Sequence, residues 1–160
     1  MTNPSGIPLP PDLAGGPVVI GVDDATTCGR PLRAAVFLAR ALTRPMLLVH
    51  VRRRNMPMVE GYVPIPEELG VGDAAEDAIE RSLREMLVSG GELEGVEWEL
   101  ISVTGDAAGE IIRIAQARDA ACVVVGKRHR GFAEFVHRLA MGSVSRAVVA
   151  CQTFPVMIVP

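Results

Sequence analysis

At 160 residues and 49% apolar content, the chain is sized for one domain with a substantial core. Its 16 basic and 19 acidic residues leave a net charge of −3, which argues against a general nucleic-acid or anionic-membrane binder. Cys28, Cys122 and Cys151 are odd in number and widely spaced, with no C-x-x-C pair, so neither a disulfide framework nor a zinc site is supported.

The N-terminus has no basic stretch leading into an apolar one, and no run reaches the ~18 apolar residues of a membrane span. These features predict a protein of the reduced cytoplasm. Residues 1–17 carry Pro4, Pro8, Pro10, Pro11 and Pro17 with three glycines and read as a flexible tail, leaving a single domain over 18–160. Val18–Val22 is an all-apolar run suited to a strand covered on both faces. It ends at Asp23-Asp24 and a polar turn. Pro31–Leu42 reads as a helix whose only charges, Arg33 and Arg40, share one face. Met46–Val51 is a second buried strand.

Arg52–Gly72, with Pro57, Pro64 and Pro66, reads as a long connection. Asp73–Ser89 predicts a helix with an inward stripe of Ile79, Leu83, Met86 and Leu87, and with Asp77–Arg81 and Glu80–Arg84 as favourable pairs. Val96–Val103 alternates and suits a strand with one wetter face, as at a sheet edge. Ala108–Ala117 predicts a helix turning Ile111, Ile112 and Ala115 inward, followed by a strand at Ala121–Val125. A helix over Val144–Cys151 and a last strand over Phe154–Val159 complete the pattern. Pro155 cannot donate a ladder hydrogen bond, which assigns that strand to an edge or to pairing with another chain.

Five strands alternating with about four helices predict an α/β fold, a doubly wound parallel sheet. In such sheets, ligands sit outside the carboxyl ends of the strands. The sequence around 121–145 has the parts of an anion site there. A strand stops at Gly126, the basic cluster Lys127, Arg128, His129 and Arg130 follows, and Gly142-Ser143 stands directly before a helix. The first strand–helix turn has no G-x-G-x-x-G, and no Walker A sequence or G-x-S-x-G elbow is present.

The ordered set GVDDA, LLVHV, VTGDAAGEII, VVVGK, MGSVS and FPVMIVP resembles the universal stress protein family from about Val18 to Val159. That resemblance implies a Rossmann-like five-stranded sheet in the order 3-2-1-4-5, a homodimer, and ATP at the strand ends, with Mg as its companion ion. It implies that Asp23 contacts the adenosine, with Gly21 and Val22 lining it and Val51 against the base. Val125 and Gly126 would lead into the phosphate loop with Lys127 and His129. Gly142, Ser143, Val144 and Ser145 would hold phosphates from a helix N-terminus. The dimer would form through the last strand, at Phe154, Val156 and Ile158.

The sequence departs from the family's ATP motif at its centre. His129 stands where a second glycine is expected, and twelve residues rather than nine precede Gly142. A non-glycine residue in a left-handed conformation is strained by ~1 kcal/mol or more. The insertion has helical spacing through Phe132, Phe135, Val136 and Leu139. Two readings follow. In one, the basic loop replaces backbone contacts to phosphate with charge-assisted ones, making a stress-response sensor that hydrolyses ATP slowly at most. In the other, His129 and the inserted helix close the pocket, leaving a dimeric signalling module without nucleotide. Asp23 capping a turn, and Ser143 capping a helix, are the structural alternatives at those positions.

Overall fold

The structure is a computed structural model that describes residues 15–52, 66–126 and 154–160, with 66–72 as backbone alone. Its strands are β1 (Val18–Val22), β2 (Met46–Arg52), β3 (Trp98–Thr104), β4 (Cys122–Gly126) and β5 (Val156–Val159). They form one sheet in the order β3-β2-β1-β4-β5, and every pairing is parallel. The described helices are α1 (Gly29–Leu42), α2 (Pro66–Ser89) and α3 (Ala107–Ala117).

β1, β2 and β4 are central and buried on both faces, which is why each reads as an unbroken apolar run. Alternate residues feed two cores. Val18, Ile20, Met46, Leu48 and Val124 pack with Leu32, Ala35 and Val36 of α1 and Leu83 and Leu87 of α2. Val19, Leu47, Val49, Val123 and Val125 pack with Ile111, Ile114 and Ala115 of α3. β3 and β5 are the edges, in line with the alternation of β3 and with Pro155 ahead of β5.

Several details differ from expectation. α2 begins at Pro66, not Asp73, so part of the expected 52–72 connection is helical. Proline suits a first helical position. A helix-interior glycine such as Gly70 or Gly72 costs only ~1 kcal/mol. On α3 the inward residue is Ile114, while Ile112 is half-buried. β3 begins at Trp98, because the Val96 N–H turns back to the Leu93 carbonyl at 3.0 Å. The helix expected over Val144–Cys151 lies outside the described residues, as does the tail up to residue 14.

Candidate functional site

The strand order fixes where a crevice can form. The chain moves outward from β1 to β2 to β3, returns across the sheet to β4, and moves the other way to β5. The switch point therefore lies between β1 and β4, where the connections leave toward opposite faces.

At the end of β1 the turn is organised by Asp24. Its Oδ1 accepts hydrogen bonds from the Thr26 N–H at 2.7 Å, the Thr26 hydroxyl at 2.6 Å and the Thr27 N–H at 3.0 Å. Burial would raise this carboxyl, but the bonds from Thr26 and Thr27 outweigh it and hold Asp24 below its ordinary range. Asp24, the neighbour of Asp23, thus caps this turn. α1 starts directly after Cys28, which caps with no side-chain hydrogen bond. Across the switch point, Gly126 ends β4 so close to α1 that a Cβ there would stand 2.8 Å from Pro31 Cγ.

A cavity of about 360 Å³ opens between these elements, lined by Thr26, Thr27, Gly29, Arg30, Pro31, Arg33, Gly126, Val159 and Pro160. Among the described residues that lining holds two arginines, two hydroxyls and no carboxylate side chain, a donor set that suits an anion.

Of the residues the sequence put forward, Gly126 alone among the described residues lines this cavity. Val22 is buried on the α1 side, while Val51 and Val125 belong to the α3 side. Gly21 has a packing role: a Cβ there would meet Ile111 Cδ1 at 2.7 Å. Asp23 is half-buried beside the turn. Lys127, His129, Gly142, Ser143, Val144 and Ser145 lie outside the described residues. Thr26, Thr27 and Arg30 escaped the sequence reading. Their position in the first turn after a buried strand was the available signal.

Arg52 is engaged elsewhere. Its Nη2 lies 2.6 Å from Asp77 Oδ1 and 2.7 Å from Glu80 Oε2, so Asp77 serves β2 rather than the i,i+4 pairing expected with Arg81. Arg84 approaches Glu80 at 3.5 Å, as its spacing predicts. The Arg52 bond holds the Glu80 carboxyl below its ordinary range. His50, buried beside Val22 in the strand register, has Nδ1 3.2 Å from the Val22 carbonyl. Its Nε2 lies 3.6 Å from Glu76 Oε2, beyond hydrogen-bond reach, so the ring is half satisfied. Burial, with the Asp24 charge adding to it, pushes the Cys28 thiol up to about 11, and burial also raises Cys122. Both thiols are buried within the core. Among the described residues no three His, Cys, Asp or Glu side chains are grouped to hold a metal ion, and no helix is long and apolar enough to cross a membrane.

The sequence pattern of the universal stress protein family matches residues 16–160. The chain belongs to this family. Universal stress protein YxiE of Bacillus subtilis (strain 168) is 28% identical over 149 residues, covering 89% of this chain and 97% of that one. Among solved members of the family, the universal stress protein from Archaeoglobus fulgidus in complex with dAMP aligns with a TM-score of 0.52 at 22% identity, over 91% of this chain and 98% of that one. A family protein from Arabidopsis thaliana with AMP bound gives 0.54 at 21% identity, over 89% and 91%. At these identities the structural likeness establishes the common Rossmann-like fold.

Proposed function

We propose that this universal stress protein binds ATP or a related adenine nucleotide in the crevice at the carboxyl ends of β1 and β4, as a stress-response sensor rather than a fast enzyme. The cavity at the switch point, lined among the described residues by two arginines and no carboxylate side chain, is the observation that carries the reading. Relatives of the same fold hold AMP and dAMP, which supports the choice of an adenine nucleotide.

In this proposal Arg30 and Arg33, with the hydroxyls of Thr26 and Thr27, complement the phosphate end at Gly126. Lys127, His129, Gly142, Ser143, Val144 and Ser145 close around the same phosphates. Asp23 holds the ribose, and Gly21, Val22, Val51 and Val125 form the rim toward the base. Mg enters bound to the phosphates. The working unit is a homodimer joined at β5, in the cytoplasm.

Calorimetric titration of nucleotide-stripped protein with Mg-ATP and with AMP tests this. The expected result is binding with a Kd of order 1–100 µM. It should be lost in Gly142→Trp and weakened about tenfold or more by Arg30→Glu with Arg33→Glu. A folded protein that gives no heat with either nucleotide would overturn the proposal. His129 in place of a motif glycine would then favour the second reading, a signalling module with a closed pocket.

A further inference from the structure

α1 presents an unusual outer face. Its exposed residues are Arg30, Arg33, Phe37 and Arg40, at i, i+3, i+7 and i+10, which set one line along the helix. No carboxylate lies on α1 at all. Phe37 is 70% exposed between the two arginines at i−4 and i+3. Beside it, Arg33, Val36, Phe37, Arg40, Ala41 and Glu92 bound an open depression of about 610 Å³. A lone exposed aromatic is ordinary on a protein surface. One standing in a depression with apolar walls and a guanidinium on either side is a recognition pattern.

The two arginines are held in place. Arg40 Nη2 donates to the Glu94 carbonyl at 2.7 Å, a bond that positions the guanidinium without neutralising it. Arg33 reaches Glu92 more loosely, at 3.4 Å. Fixing the side chains beforehand lowers the entropic cost of using them as clamps.

From this we infer that the outer face of α1 docks an acidic protein segment, which inserts a large aliphatic side chain beside Phe37 and sets carboxylates against Arg33 and Arg40. Charge decides between classes of partner. Glu92 borders the depression beside Arg33, so a phosphodiester backbone or an anionic membrane, with charge at every step, meets repulsion there. A protein segment places its carboxylates only opposite the arginines. The surface is separate from the nucleotide crevice except at Arg33, which borders both. Nucleotide binding and docking can therefore fail independently.

The test is fluorescence anisotropy with a labelled helical peptide bearing a leucine pair flanked by glutamates, read against full-length protein at low salt. The expected result is saturable binding with a Kd of order 100 µM or tighter. Phe37→Ala should weaken it about tenfold and Arg40→Glu by at least as much. Arg113→Glu, on the far face of the sheet, should leave it within about twofold, and added salt should weaken the wild-type complex. No binding by wild type, or equal binding by Phe37→Ala, Arg40→Glu and wild type, overturns the inference. So does preferential binding to phosphatidylserine vesicles or oligo-dT over the peptide. ATP calorimetry on Phe37→Ala, with an unchanged isotherm, separates the two surfaces.

Discussion

Thr43 ends α1 in the left-handed region at φ 53°, with the Arg44 N–H closing the helix onto the Ala39 carbonyl at 2.8 Å. That cap geometry is ordinarily given to glycine, and a β-branched side chain there is strained by about 1–2 kcal/mol. Thr43→Gly releases the strain but loosens the unfolded chain, which offsets roughly 0.5–1 kcal/mol. The net expectation is a stabilisation of up to about 1 kcal/mol, read as a higher urea midpoint with an unchanged m-value; a lower midpoint would show that the strain is already relieved. Gly21 illustrates the limit of reading single residues. The family resemblance marks it for ligand, and Ile111 Cδ1 also fills the space its missing side chain leaves. A packing demand from a residue ninety positions away in the chain leaves no local sign.

Among the elements, the end of β2 is tied to α2 by an ion pair. Arg52 ends the strand and pairs with Asp77 and Glu80 one helical turn apart. Because the Arg52 bond keeps Glu80 below its ordinary range, the folded state binds fewer protons than the unfolded one. The stability this contributes is full above the unfolded value, about pH 4.3, and is lost as pH falls through the lower folded value. Arg52→Met should cost about 0.5–1 kcal/mol at neutral pH. It should also flatten the loss of stability between about pH 5 and pH 3, measured by urea unfolding along that series. An unaltered acid limb would mean that Glu80 is held down by something other than Arg52. In the sequence Arg52 looked like the start of a long connection, and Asp77 like the partner of Arg81. The i,i+4 rule sees the helix surface but not the strand end lying against it.

For the whole molecule, the open question is the outer edge of β5. Val156, Met157 and Ile158 are 42%, 41% and 54% exposed on a strand whose other side pairs with β4. Phe154 is different, packed against the α3-side core. An apolar edge left open is a template for association. The proposed homodimer uses it, with Val156 and Ile158 meeting their copies across a two-fold axis. Val156→Asp with Ile158→Asp should shift sedimentation from dimer to monomer, while Val88→Asp, on exposed α2 surface, should not. A dimer unaffected by the first pair would place the interface elsewhere.

What the sequence determined by itself was the set of elements. Burial on both faces of a parallel sheet demands unbroken apolar runs, so β1, β2 and β4 announce themselves, and the 3.6-residue period does the same for α1, the later part of α2, and α3. The carboxyl rim follows from that alternation alone, and so does the presence of Gly126 there. Only the tertiary structure decided which groups meet. It brought Gly126 against Pro31, enclosed a cavity with Thr26, Arg30 and Arg33, gave the turn to Asp24, and set Arg52 on α2. Composition and period are constraints each segment meets on its own. Contacts between residues far apart in the chain depend on how the layers close, and no stretch of sequence carries that information singly.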